Sequence, residues 1–113
     1  MNLNEWLRGE IALVEAQLAG AGSTCQLDRQ GASPPSLKEA EGRYFILRRA
    51  SRLLELGQPL DGLATEADKA RDFLAADEGL ARNPAWRAYF KGVLDAVQAL
   101  RRQADGASMS PDH

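Results

Sequence analysis

The helical character of this chain is clearest in residues 37–56, which read LKEAEGRYFILRRASRLLEL. Apolar residues recur in this segment at alternating steps of three and four, which places them in one stripe along a helix. Three further segments have the same spacing. The four stripes are Leu7, Ile11, Val14 and Leu18; Leu37, Ala40, Tyr44, Leu47 and Leu54, with the polar Ser51 among them; Leu63, Ala67, Ala70 and Leu74; and Trp86, Phe90, Val93, Val97 and Leu100. The pattern predicts an all-α four-helix bundle with coiled-coil-like packing.

Residues that favour helix ends set the expected boundaries. Side chains suited to N-caps stand near the start of each stripe, at Asn2 or Asn4, Ser36, Asp61 or Thr65, and Asn83. Glycines that commonly follow helices stand after all four stripes, at Gly20 with Gly22, Gly57, Gly79 and Gly106. The predicted helices therefore run over about 3–19, 37–56, 62–78 and 84–104.

The chain of 113 residues fits a single helical domain over residues 1–104. Residues 20–35 are rich in turn-forming residues and are predicted to be a long flexible loop. Residues 105–113 are predicted to be a disordered tail. Cys25 is the only cysteine and cannot form an internal disulfide, and no apolar run is long enough to cross a bilayer. With no secretory signal at the N-terminus, the expected location is the cytoplasm, away from any membrane.

Net charge alternates in sign from one predicted helix to the next, beginning with a negative first helix. In an up-down bundle this alternation would place each helix between two helices of opposite charge. Single surface ion pairs contribute only about 0–1 kcal/mol, so the alternation is expected to influence the arrangement more than the stability.

The residues needed for the common kinds of catalysis are missing. The only histidine is His113, the last residue, so acid–base chemistry and metal binding by histidine have no candidate in the helical part. Asp68 and Asp72 share a helix face, but they lie away from the apolar stripe and so cannot build an inward-facing metal site. No glycine-rich phosphate loop is present either. We therefore expect no enzyme activity, no metal and no cofactor.

The second helix has more apolar surface than one stripe requires. Gly42, Ile46, Leu53 and Leu56 form a second stripe, with Phe45 beside it and Arg49 interrupting it. Such a helix is either central in its bundle or shared between the core and a partner. Trp6 and Leu13 are similarly placed beside the stripe of the first helix. The predicted interface comprises Trp6, Leu13, Phe45, Ile46, Arg49, Leu53 and Leu56.

Glu10 lies between apolar positions of the first helix, where an unpaired carboxylate would be costly to bury. A buried ion pair with an arginine, Arg43 or Arg49, is the expected solution, and Arg43 is the preferred partner. A functional acid in a pocket and a position at the rim of an interface are the alternatives.

Together these features predict a small, non-catalytic interaction or regulatory protein that acts through an apolar helix surface. A homodimer is the expected assembly, and a different partner protein is the alternative. A second hypothesis is a nucleic-acid-associated regulator that uses Arg48, Arg52, Arg101 and Arg102. It is disfavoured because the chain has a net charge of −2 and phosphate binding needs several cations on one track. The third hypothesis is a helical bundle that binds a small molecule or a metal.

Overall fold

In the part of the chain that the structure describes, four α-helices make up most of the protein. The computed structural model describes residues 2–20, 35–76 and 78–108. The helices are α1 (Leu3–Gly20), α2 (Pro35–Glu55), α3 (Leu63–Ala75) and α4 (Pro84–Ser108), and two short 3₁₀ turns span Leu60–Gly62 and Gly79–Arg82. Within these ranges there is no strand. The predicted all-α four-helix bundle is confirmed.

Two of the predicted N-caps are formed. The Asn2 side-chain oxygen accepts a hydrogen bond from the Glu5 backbone N–H at 2.8 Å. At the start of α4, the Asn83 side-chain oxygen accepts from the backbone N–H groups of Ala85 and Trp86 at 2.9 and 3.2 Å. Each asparagine thus satisfies N–H groups that have no partner inside the helix.

The end of α2 is fixed by Gly57, whose φ of 68° is strained for residues with a side chain. Gly57 donates its N–H to the Leu54 carbonyl at 3.1 Å, and Gln58 donates to the Leu53 carbonyl at 2.9 Å. This pair of bonds is the Schellman motif, which satisfies carbonyls left over at a helix end.

The other boundaries differ from prediction by a few residues. Helix α2 begins at Pro35, before Ser36, because a proline at the first helical position loses no needed hydrogen bond. Helix α3 ends at Ala75 rather than 78, where Ala76 is extended. Helix α4 continues to Ser108, which corrects the predicted tail for residues 105–108. One glycine costs a helix only about 1 kcal/mol, so Gly106 does not end it. Residues 21–34 with Cys25, and residues 109–113, lie outside the described residues.

Helices α2 and α4 form the central pair, with α1 packed mainly on α2 and α3 mainly on α4. Helices α2 and α4 run in the same direction, since residues near 40 of α2 lie by residues near 90 of α4, and Leu47 lies by Ala99. Helix α3 runs antiparallel to α4, because Phe73 stacks on Phe90 while Leu63 lies by Ala104. Helices α2, α3 and α4 therefore alternate in direction, but the pair in closest contact, α2 and α4, is not consecutive.

This arrangement contradicts the expectation that each helix lies between two helices of opposite charge. The two helices that pack most extensively, α2 and α4, are both basic, and α2 hardly touches the acidic α3. Exposed ion pairs contribute about 0–1 kcal/mol each, whereas burying a large apolar side chain contributes about 1.5–3 kcal/mol. The burial of apolar residues therefore determines which helices meet.

Two glycines bring α2 and α4 into backbone contact. A Cβ atom on Gly42 would lie 2.0 Å from the Tyr89 carbonyl oxygen, and one on Gly92 would lie 2.0 Å from the Glu39 carbonyl oxygen. At this crossing the helices pack backbone against backbone rather than through interlocking large side chains. Gly42 belongs to the second stripe of α2, so this stripe faces α4 over part of its length.

The four predicted stripes supply most of the core. Leu7, Val14, Leu47, Ala67 and Val97 are among its buried members. The core also includes residues outside those stripes: Ile46, Ala50, Ala81 and Ala96. Helix α2 is thus central in the bundle, with α1 packed on its first stripe and α4 on part of its second.

Candidate functional site

Helix α2 presents one long face to solvent, which we call the outer face of α2: Phe45, Arg48, Arg49, Arg52 and Leu56. Phe45, Arg49, Arg52 and Leu56 are separated by steps of four, three and four residues, so they line up along the helix. Leu56 follows the last residue of α2 and still donates its N–H to the Arg52 carbonyl at 3.1 Å. Phe45 is 38% exposed and Leu56 is 53% exposed. The two apolar side chains lie about 16 Å apart along the axis, with arginines between them.

The arginines of the outer face of α2 are accessible. Arg52 lies 3.4 Å from the Glu55 carboxylate, and both side chains are more than 60% exposed. The Arg48 guanidinium lies 5.8 Å from the centre of the Tyr44 ring. Arg49 is exposed and makes no ion pair with any described residue. Exposed pairs of this kind contribute little, so the guanidinium groups remain available to a partner and the face is basic.

The predicted interface is only partly present as a surface. Ile46 is completely buried, and Leu53 is half-buried against the core. The prediction is wrong for Ile46, because α4 approaches closely enough at Gly42 to cover it. Trp6 is half-buried against the core as well, whereas Leu13 on α1 is 63% exposed. Phe45, Arg49 and Leu56 are the members of the predicted set that remain exposed on α2.

The structure pairs Glu10 with Arg43, as predicted, at 3.6 Å between the carboxylate and the guanidinium. The pair is not buried, since 26% of the Glu10 side chain and 34% of the Arg43 side chain are exposed. The reason is that α1 packs on α2 and barely touches α4, which leaves an opening beside the pair.

That opening is a groove of about 310 Å³ between α1, α2 and α4, which we call the ion-pair groove. It is lined by Trp6, Glu10, Arg43, Leu47, Asp95, Ala96, Ala99 and Arg102. Asp95 and Arg102 add one acid and one base, so the charges of the groove balance. A balanced set of charges gives no strong field for a cation or an anion. The contribution of α4 to this groove could not be foreseen, because no sequence signal predicts which residues of α4 lie by α1.

The four arginines of the nucleic-acid-binding hypothesis do not converge on one surface. They are Arg48, Arg52, Arg101 and Arg102. Arg48 and Arg52 lie on the outer face of α2. Arg102 lines the ion-pair groove, and Arg101 lines a separate groove of about 520 Å³ between α3 and α4. Asp61 and Asp105 accompany Arg101 there, and acids beside the arginine weaken its attraction for phosphate.

Both tyrosines hold their protons more firmly than usual. The Tyr44 hydroxyl donates a hydrogen bond to the Glu15 carboxylate at 3.0 Å, and this bond is the main reason why the pKa of Tyr44 is raised above its ordinary value of 10.0. For Tyr89, burial is the main cause of a raised pKa. Such phenols stay neutral at physiological pH and are not poised for proton transfer.

An aromatic cluster joins the start of α4 to α3. The Phe73 and Phe90 rings lie 4.4 Å apart, and Trp86 lies 5.8 Å from Tyr89 and 6.2 Å from Phe90, centre to centre. Trp86 is 45% exposed even though it belongs to the predicted core stripe. Its place in the first turn of α4, at the end of the bundle, is the sequence feature that explains this exposure.

In the described parts of the chain, none of the helices has the length and apolar character required to cross a bilayer. Across residues 2–20, 35–76 and 78–108, no three acidic, histidine or cysteine side chains are grouped so as to hold a metal ion.

Comparison with known proteins found no matching family model, no matching curated protein and no matching solved structure.

Proposed function

We propose that this chain is a non-catalytic helical interaction protein that binds its partner through the outer face of α2. The observation that supports this proposal is the exposure of Phe45 and Leu56 on either side of three accessible arginines. Aromatic residues and arginine are enriched where proteins bind one another. Helix α4 covers part of the second stripe of α2, so the proposed binding surface consists of the five residues of the outer face of α2 and does not include Ile46 or Leu53.

Site-specific photocrosslinking in the cells that make the protein tests this proposal. A photoreactive phenylalanine analogue replaces Phe45 in one variant and Gln98, an exposed residue of α4, in the control. We expect a defined adduct from position 45 and none from position 98. The absence of an adduct at position 45, or the same adducts at both positions, would contradict the proposal.

The mass of the adduct also tests the expected homodimer. An adduct of twice the mass of the chain, formed by the purified protein as well, would identify a second copy as the partner. Sedimentation velocity of the unmodified chain at micromolar concentration provides an independent measurement, since a specific dimer sediments faster than the monomer.

A further inference from the structure

We infer that the outer face of α2 binds an acidic amphipathic helix of another protein. Two apolar side chains of that helix lie on Phe45 and Leu56, and its carboxylates lie on the arginines between them. This inference rests on the proposed function and names the chemistry of the partner.

The charge of the outer face of α2 favours an acidic partner. Arg48, Arg49 and Arg52 occupy little more than one turn of helix, and the nearby Glu55 is already paired with Arg52. A guanidinium binds a carboxylate through two parallel hydrogen bonds, which gives such a contact a defined geometry. The separation of about 16 Å between Phe45 and Leu56 corresponds to three turns of a partner helix.

A second copy meeting this face with its own outer face of α2 does not fit. A two-fold axis through the face would bring three arginines of one chain against the same three of the other, with only Glu55 from each chain to offset them. A stable interface also buries about 800 Å² on each partner, whereas this face offers two partly exposed apolar side chains. The size of the apolar surface therefore indicates a smaller, reversible contact.

The acidic helices α1 and α3 do not supply the occupant either. In α1, Glu10 and Glu15 are already bonded to Arg43 and Tyr44, and Leu13 is the one large apolar side chain of this helix that is exposed among the described residues. Asp68 and Asp72 of α3 are exposed, but the other exposed residues of that helix are Thr65, Lys69, Arg71 and Ala75. No large apolar side chain is available there to meet Phe45 and Leu56, and Asp68 is already paired with Arg71 at 3.1 Å. Residues 21–34 contain one acid and one base, so their charges cancel.

Nucleic acid fits this face less well than an acidic helix does. Phosphates would satisfy the arginines but would leave Phe45 and Leu56 exposed to water.

Binding of a synthetic peptide tests the inference. The probe is a labelled helical peptide of about 18 residues, with two leucines separated as Phe45 and Leu56 are and with glutamates between them. The control peptide has glutamine at every glutamate position. We expect the glutamate peptide to bind at least about 10-fold more tightly, and its affinity to fall as salt is added, because salt screens exposed charges.

Charge reversal on the protein locates the site. Arg49→Glu should weaken binding of the glutamate peptide at least about 10-fold, and Phe45→Ala should weaken binding of both peptides. Lys91→Glu is the matched control, because it makes the same charge change at an exposed residue of α4. Circular dichroism of each variant checks that the helices are retained.

Each other outcome has a definite meaning. Equal binding of the two peptides, or equal losses in Arg49→Glu and Lys91→Glu, would overturn the inference. Displacement of the glutamate peptide by duplex DNA, with DNA binding lost in Arg49→Glu, would assign the face to nucleic acid instead. A crosslink from position 45 to a second copy would overturn the inference and leave the proposed interaction function standing. The absence of both crosslinks and peptide binding would overturn both.

Discussion

Replacing Gly42 by alanine perturbs the backbone contact between α2 and α4. The new methyl group would lie 2.0 Å from the Tyr89 carbonyl oxygen, whereas ordinary contacts of a Cβ atom begin at 3.4 Å. The nearest neighbours of the new Cβ are backbone atoms of α4, so no flexible side chain can move aside. The helices must therefore separate by up to about 1.4 Å, or α2 must shift along α4.

The expected cost follows from two opposing effects. Overpacking of a well-packed core costs about 1–3 kcal/mol, and separating the helices also weakens the contacts around Ile46 and Val93. Alanine in place of glycine in a helix stabilises by about 1 kcal/mol. We expect the overpacking to outweigh this gain, with a net loss of up to about 2 kcal/mol in the free energy of unfolding. For a domain of this size, each kcal/mol lowers the melting temperature by about 4 °C.

Urea and thermal unfolding followed by circular dichroism measure this change. Gly9→Ala is the matched control, because Gly9 is an exposed residue of α1 with nothing within 4 Å of a Cβ atom, and the control should gain about 0.5–1 kcal/mol. Gly92→Ala should resemble Gly42→Ala. The double variant should lose less than the sum of the two, since one separation of the helices accommodates both methyl groups. A Gly42→Ala protein as stable as the wild type, or stabilised like the control, would refute backbone contact between these helices.

Two further predictions concern Arg87 and the tyrosines. Arg87 donates hydrogen bonds to the Ala81 carbonyl at 2.9 Å and to the Leu74 carbonyl at 3.2 Å. Arg87→Ala should therefore lower the free energy of unfolding, measured in urea, by about 1–3 kcal/mol. A loss no larger than that of Arg8→Ala, a control at an exposed residue, would contradict this role. Because the pKa values of Tyr44 and Tyr89 are raised in the folded state, the stability that these two neutral phenols contribute should be fully present below pH 10. This contribution should be lost as the pH rises from 10 through their higher folded-state pKa values. A near-ultraviolet titration of tyrosinate should place the ionisation of both tyrosines above pH 10 in the native protein, and Tyr44→Phe should leave one ionisation. A tyrosine of the native protein that ionises at or below pH 10 would be inconsistent with the bond to Glu15 or with the burial of Tyr89.

Periodicity was sufficient to predict the helices and most of the core. Buried residues such as Leu7, Leu47, Ala67 and Val97 lie where the three-and-four spacing places them, because an isolated stripe on a helix can be covered only by another helix. The caps at Asn2 and Asn83 were also predictable, since the stabilising bond joins neighbours in sequence. The pairing of α2 with α4 was not, because a glycine within a stripe does not reveal which helix approaches it.

Because the pairing of α2 with α4 could not be predicted, only part of the predicted interface is exposed. Phe45 and Ile46 are adjacent, and their side chains leave the helix about 100° apart. Helix α2 contacts α1 on one side and α4 on another, so a shift of one residue separates a buried side chain from an exposed one. The excess of apolar residues on α2 could be recognised from the sequence, but its division between core and surface depends on the position of α4. That position is set by the close approach at Gly42 and Gly92, and it covers Ile46 while leaving Phe45 and Leu56 beside the arginines. A variant that alters the α2–α4 crossing should therefore also alter peptide binding at the outer face of α2, even though neither glycine belongs to that face.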